Sequence, residues 1–196
     1  MKLRIFVAIN LALWLGVAAA QDFAIGDRLK PGTSSAKAGE VKEITWDALI
    51  PPGWDPMEKL KSLKLDQLSD ADPKAMALLE QLRAEWDKAA TVEAIDGAKI
   101  KIPGFVVMLD GKKEGVTEFL LVPFFGACIH VPPPPANQII HVFPGKPVPE
   151  SVALSPVYVS GTIRTTRSST AMGAAAYRVE SAQVEPYPLP QRGGRR

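Results

Sequence analysis

Apolar positions recur at spacings of three and four along DPKAMALLEQLRAEWDKAA, Asp72 to Ala90. Ala75, Leu78, Leu82, Trp86 and Ala89 make one stripe, and Glu80, Arg83, Glu85, Asp87 and Lys88 fall opposite. This period predicts an amphipathic helix over 72–90, docked through one face. Asp72 supplies a capping side chain, and Pro73 sits in the first turn, where a missing N–H costs nothing. The polar face is mixed in sign and not basic, which argues against a helix lying on a membrane surface.

After Ala90 the period shortens to two. AKIKIPGFVVMLDG alternates through Lys99, Ile100, Lys101 and Ile102 and then turns wholly apolar, and VTEFLLVPFFG follows a Gly-Lys-Lys-Glu-Gly turn. NQIIHVF, PVYVSGTIRTT and AAYRVESAQVEPY complete a set of about five strands. Pro103-Gly104 inside the first predicts a bulge or corner where one strand serves two sides of a barrel. The fold class expected is mainly β with one long helix (α+β): a small OB-like β-barrel over 98–185 carrying an N-terminal helical extension. An open five- or six-stranded sheet packed on the helix is the alternative.

The flanking segments lack either period. Residues 21–40, rich in Gly, Ser, Ala and Lys, are expected to form a flexible leader. Order is expected from KEITWDALIPPGWDP, Lys42 to Pro56, where a strand-like ITW precedes a proline-punctuated turn. Trp46 and Trp54 are expected to cover one end of the core there. The globular domain then runs over 41–185, and the proline-rich, basic stretch 186–196 is expected to be a disordered tail.

Residues 1–20 are a signal peptide by pattern: Lys2 and Arg4, an apolar run from Ile5 to Val17, then Ala18, Ala19 and Ala20. Cleavage is expected after Ala20, releasing a soluble periplasmic protein with no stable membrane insertion. The run is shorter than the roughly 20 apolar residues that span a bilayer, and no cysteine follows it to accept a lipid. Residues 1–20 carry two cations and no acid, so the 23 basic residues of the chain fall to 21, equal to its 21 acidic ones. That neutral balance argues against a nucleic-acid surface. A single cysteine excludes an internal disulfide.

The candidate chemistry is concentrated in GACIHVPPPPANQIIHV, Gly126 to Val142, which holds Cys128, His130 and His141, the only cysteine and both histidines. On a strand, Cys128 and His130 leave one face, and the stiff proline run is suited to a crossing loop that returns His141 towards them. Thiolate and imidazole suit zinc, and copper would accept the same set. A fourth ligand is left open between Glu118, Asp110 and water. Two other readings stand beside metal binding: simple packing of a small buried thiol and locally bonded histidines, or a thiolate activated by His130 or His141. The second lacks a resolving cysteine, and the chain has no Gly-x-Ser-x-Gly elbow, His-Glu-x-x-His helix or phosphate-binding glycine loop. Grounds for an enzyme are weak.

ITWDALIP, IKIPGFVVMLD and above all TEFLLVPFFGACIHVPPPPANQIIHV resemble the family of exported bacterial proteins called domain of unknown function 3299, over roughly Val41 to Glu185. Met108 departs from the proline expected after Gly-Phe-Val-Val, which touches a strand bend and not the site. The family has no established activity. The resemblance extends to proteins found beside metal-uptake transport systems. It implies a periplasmic metal-binding accessory, with zinc as the ion and a membrane transporter component as partner. The alternative expectation is a non-enzymatic OB-like binding module for a peptide, a protein partner or a small ligand, in which the Cys/His cluster is structural.

Overall fold

The computed structural model describes residues 23–30, 41–55, 73–110, 114–127 and 133–189. The expected signal peptide, Asp72, Cys128 and His130 lie outside the described residues.

Eight strands are described: β1 (Lys42–Glu43), β2 (Lys99–Met108), β3 (Phe119–Val122), β4 (Ile140–Pro144), β5 (Val157–Arg164), β6 (Ser168–Thr170), β7 (Gly173–Ala175) and β8 (Tyr177–Pro186). The α-helices are α1 (Pro73–Trp86) and α2 (Glu150–Ala153). Strands β2-β3-β4-β8-β5 pair in that order and β5 returns to β2, closing a five-stranded barrel. β2, β3 and β4 form an antiparallel meander, β4 pairs in parallel with β8, and β8 is antiparallel to β5. This is a Greek-key barrel of the OB kind, with the short α2 between its third and fourth strands. The small hairpin β6–β7 lies in the loop before the fifth.

Two local devices bend the sheet into a barrel. β2 changes partner in mid-strand: Lys99 to Gly104 pair with β5 and Phe105 to Met108 pair with β3. The corner falls at Pro103-Gly104, as the sequence suggested. A Cβ on Gly104 would lie 2.7 Å from Leu121 Cγ and 2.9 Å from the Val122 carbonyl oxygen, so close approach of β2 and β3 needs glycine here. The second device is a bulge in β8 at Ser181, whose φ of 51° is left-handed, between Phe143↔Glu180 and Pro144↔Ala182. The extra residue shifts the alternation, so Tyr177 and Val179 before it, and Ala182 and Val184 after it, all belong to the interior.

That interior is apolar. Phe119 and Leu121 of β3, Ile140 and Val142 of β4, Val157, Val159 and Ile163 of β5, and Ile100 and Ile102 of β2 meet in one cluster. Tyr177 is fully buried among them, donates from its hydroxyl to the Leu49 carbonyl (2.9 Å) and accepts the Val92 N–H (2.7 Å). Burial raises its pKa above the ordinary 10.0. Trp46 closes one end, donating its indole N–H to the Pro103 carbonyl at 2.7 Å. It sits in a 3-10 turn over Trp46–Leu49 that follows β1. Trp54 is only half-buried.

The stripe on α1 has the expected sense. Ala75 and Leu82 are buried within the helix and Ala89 in the turns after it, while Leu78 and Trp86 are half-buried. The helix stops at Trp86, before the expected Ala90. Arg167 draws off the carbonyls of Asp87 (2.7 Å) and Ala89, and Asn137 takes that of Ala90 (3.0 Å).

Both flanks are more ordered than their composition suggests. Phe23 packs edge-on against Phe105, with centroids 5.2 Å apart, and lies 5.8 Å from Phe125. The Gly26 N–H donates to the Phe125 carbonyl (3.0 Å), and the Phe125 N–H to that of Asp27 (3.0 Å). Part of the expected leader, 23–30, is therefore a strap on the barrel, anchored by one aromatic side chain. At the other end Pro186 closes β8, and Tyr187 stacks on Tyr158 at 5.1 Å and donates to the Lys30 carbonyl at 2.8 Å. The first residues expected in the tail belong to the barrel, because two tyrosines supply apolar area that the rest of the tail lacks.

Candidate functional site

Of the three candidate residues Cys128, His130 and His141, His141 is the one that lies among the described residues. Along β4, Ile140 and Val142 point inward, so alternation sends Ile139 and His141 to the outer face. Leu120 is the cross-strand partner of His141 on β3, and Arg178 its partner on β8. A second apolar cluster covers this outer face: Phe105, Val107, Leu120, Val122, Ala127, Ile139 and Ala175, flanked by Phe23, Leu29, Phe124, Phe125 and Met172. His141 is consequently only 4% exposed.

Both ring nitrogens have side-chain partners. Nε2 lies 2.8 Å from Glu118 Oε1 and Nδ1 lies 2.8 Å from Ser168 Oγ. Glu118 ends the loop joining β2 to β3, and Ser168 opens the β6–β7 hairpin, so the imidazole ties two loops to the sheet between them. The other buried polar side chains among the described residues act on backbone. Gln138 donates to the carbonyls of Trp46 and Asn137, and Asn137 to that of Ala90. His141 alone of these three meets a carboxylate and a hydroxyl.

Burial lowers the pKa of His141 below the ordinary 6.5. The hydrogen bond and the charge of Glu118 oppose that shift, and the Arg178 guanidinium reinforces it. The neutral ring is thus favoured at neutral pH. An ionised carboxylate only accepts, so the Nε2 facing Glu118 carries the proton, and Nδ1 accepts from the Ser168 hydroxyl. Phe143 stacks on the imidazole with centroids 4.4 Å apart, and the Arg178 guanidinium lies 5.1 Å above the Phe143 ring.

Of the fourth-ligand choices, the carboxylate of Asp110 is committed to the β2–β3 turn. It accepts the N–H groups of Thr117 (3.2 Å) and Glu118 (3.1 Å) and the Thr117 hydroxyl (2.5 Å). Glu118 is engaged with the imidazole through a hydrogen bond. Two tetrahedral ligands about 2.05 Å from zinc would sit about 3.3 Å apart, wider than the 2.8 Å between Glu118 and His141. Among the described residues no group of three or more His, Cys, Asp or Glu side chains could hold a metal ion, and no helix is long and apolar enough to cross a membrane.

Cys128 and His130 fall between Ala127 and Pro133. Ala127 is buried in the outer cluster with Leu120, and Pro133 neighbours Gly173 of the hairpin that carries Ser168, where an added Cβ would come 3.2 Å from Pro133 Cβ. Ser168 carried no signal in the sequence, being 27 residues beyond His141 and joined to it through the hairpin. Glu118 was legible in principle: strand alternation puts it on the face of Leu120, and hence of His141.

The family described as "Protein of unknown function (DUF3299)" matches residues 46–186. A crystal structure of a DUF3299 family protein from Pseudomonas aeruginosa PAO1 is similar to this chain at 39% identity and a TM-score of 0.61, covering 77% of this chain and 99% of that one. Comparison with curated proteins gives no match.

Proposed function

The chain belongs to the DUF3299 family, and from that premise we propose that it is an exported, periplasmic metal-binding accessory protein that assists a membrane metal-transport system, with zinc as its ion. Cys128, His130 and His141 are the proposed ligands. The observation that carries this reading is the state of His141: a buried imidazole kept neutral, with one nitrogen hydrogen-bonded to a carboxylate. Metal-binding histidines are commonly oriented in this way, the carboxylate fixing the tautomer and raising the basicity of the other nitrogen. The described ends of the segment bearing Cys128 and His130 support it too. Ala127 shares the outer cluster with Leu120, and Pro133 adjoins the hairpin that reaches His141.

In this role the protein's own residues bind and orient. Glu118 holds the ring, Leu120 and the outer cluster limit water, and the thiolate of Cys128 would supply the softer donor. Zinc would add a charge that favours that thiolate over the thiol. Export rests on the pattern of residues 1–20.

A second reading has one observation in its favour. OB barrels bind ligands on the face of their second and third strands, between the loops that follow strands one and four. Here those are β3 and β4, with Glu118 and Ser168 in the two loops, which suits a binding module for a peptide, protein or small ligand. Metal content separates the two. Protein isolated from the periplasm without metal-affinity steps should carry stoichiometric zinc and lose it in Cys128→Ser. A metal-free wild type that cannot be loaded would leave only the binding module.

A further inference from the structure

The barrel closes without residues 23–30: β2-β3-β4-β8-β5 pair in a ring, and the strap adds one isolated bridge to it, Arg28 to Phe124. We propose that the ground beneath the strap is a binding site for a short peptide with an aromatic anchor, which the chain's own residues 23–30 occupy in cis. The site uses none of the three proposed metal ligands, so it stands or falls apart from zinc, and it gives the binding-module reading a ligand class.

The recognition elements lie on described residues. Phe105 and Phe125, with centroids 5.6 Å apart, hold the Phe23 ring between them at 5.2 and 5.8 Å. Phe125 also presents its backbone as a strand edge, its carbonyl accepting the Gly26 N–H and its N–H donating to the Asp27 carbonyl, both at 3.0 Å. Leu29 packs on the same outer cluster, and the Arg28 guanidinium lies 5.8 Å over the Phe124 ring. Main-chain pairing combined with slots for particular side chains is how a sheet edge captures a peptide. The pattern read is an aromatic residue, a glycine three positions on and an aliphatic residue three beyond that. Glycine is needed because Gly26 has a φ of 94°.

The strap has the character of a ligand. Ala24 to Arg28 and Lys30 are exposed, and only Phe23 and Leu29 are half-buried. Its turn is held by its own bonds: the Ala24 N–H donates to the Asp27 carboxylate (2.9 Å) and the Asp27 N–H to the Ala24 carbonyl (3.0 Å). A free peptide of this sequence carries the means to form that turn, which lowers the ordering cost of binding in trans. Vacated, the site presents aromatic surface and an unpaired backbone edge, the features that mark an interaction surface.

A synthetic peptide of residues 23–30 with a C-terminal fluorophore, titrated with the full chain and read by anisotropy, tests this. In the wild type the tethered strap competes at an effective concentration on the order of millimolar. The chain carrying Phe23→Ala, its fold checked by circular dichroism, should therefore bind the peptide about 10-fold or more tightly than the wild type does. The same peptide with Phe23→Ala should bind neither chain. A folded Phe23→Ala chain that binds the peptide no better than the wild type, or binding that ignores the peptide's phenylalanine, would overturn the site. Hydrogen exchange on the wild type gives a reading that needs no variant: the Gly26 amide should exchange roughly 100-fold or more faster than those of Phe119 to Val122, by local opening. Equal protection would make the strap part of the barrel's own folding unit and overturn the proposal. A wild type that sediments as a dimer, and as a monomer once Phe23 is replaced, would give the site to a second copy's strap and overturn its assignment to a partner peptide.

Discussion

The two faces of strands β3 and β4 are built from alternate residues of the same nine positions and could hardly differ more in kind. Inward, Phe119 lies opposite Val142 and Leu121 opposite Ile140, all buried and apolar. Outward, Leu120 lies opposite His141, and the imidazole reaches Glu118 and Ser168. The inner face needs only shape and area. The outer face accepts a buried polar ring, which packing alone would not select, because desolvating such a group is unfavourable unless its hydrogen bonds are restored. Both faces thus bury apolar side chains, but only the outer one includes a polar ring among them, so replacing that ring should behave differently from replacing an inward side chain.

The largest effect is expected inside. Phe119→Ala removes a fully buried ring and should cost about 3–5 kcal/mol, read as a lower midpoint in urea without loss of cooperativity. A midpoint close to the wild type would mean that the barrel interior is not packed as described. Tyr177→Phe should cost about 1–3 kcal/mol, since it leaves the Val92 N–H and the Leu49 carbonyl without their buried partner. Gly104→Ala should cost about 1–3 kcal/mol by crowding Leu121 and the Val122 carbonyl at the corner of β2. A neutral result there would show that β2 can bend without close approach to β3.

Outside, His141→Leu should leave stability within about 1 kcal/mol of the wild type, because Glu118 and Ser168 can turn to water and an apolar side chain of similar size fills the site. A loss as large as that of Phe119→Ala would erase the contrast between the faces. The smallest effect is on pH dependence. The folded state lowers the pKa of His141 below its ordinary 6.5, so below that pH the unfolded chain binds more protons than the folded one. Stability should be complete above about pH 6.5 and should fall as the pH drops below it. His141→Leu should flatten that fall in thermal melts between pH 7.5 and pH 5; an unchanged slope would assign it to other groups.

The same contrast explains what the sequence disclosed. Alternation in KIKI, the Pro103-Gly104 corner and the stripe from Ala75 to Ala89 report inward packing, and they located the closed barrel and the long helix closely. FVVM and FLLV lacked alternation because both their faces are covered, the outer one by Phe23, Phe124, Phe125 and Met172. That cover comes from distant segments, one of them within the stretch whose composition suggested a leader, so local pattern did not disclose it. The bulge at Ser181 was equally hidden, since the parity change it makes shows only against a known partner strand. For the site, the sequence showed only that His141 lies within 14 positions of Cys128 and His130, and of the three His141 alone is among the described residues. The pairing with Glu118 needed strand register, and Ser168 needed the hairpin. Asp110, one of the open choices for a fourth ligand, has a carboxylate that braces the β2–β3 turn.

Metal handling is tested most directly by a zinc titration of chelator-stripped wild type beside His141→Ala, with the folded state of both checked by circular dichroism. The wild type should bind zinc and the variant should bind it at least tenfold more weakly, as loss of one ligand from a small set requires. Equal affinity in the two folded proteins, or no binding in either, would contradict metal handling and assign the outer face to ligand or partner recognition.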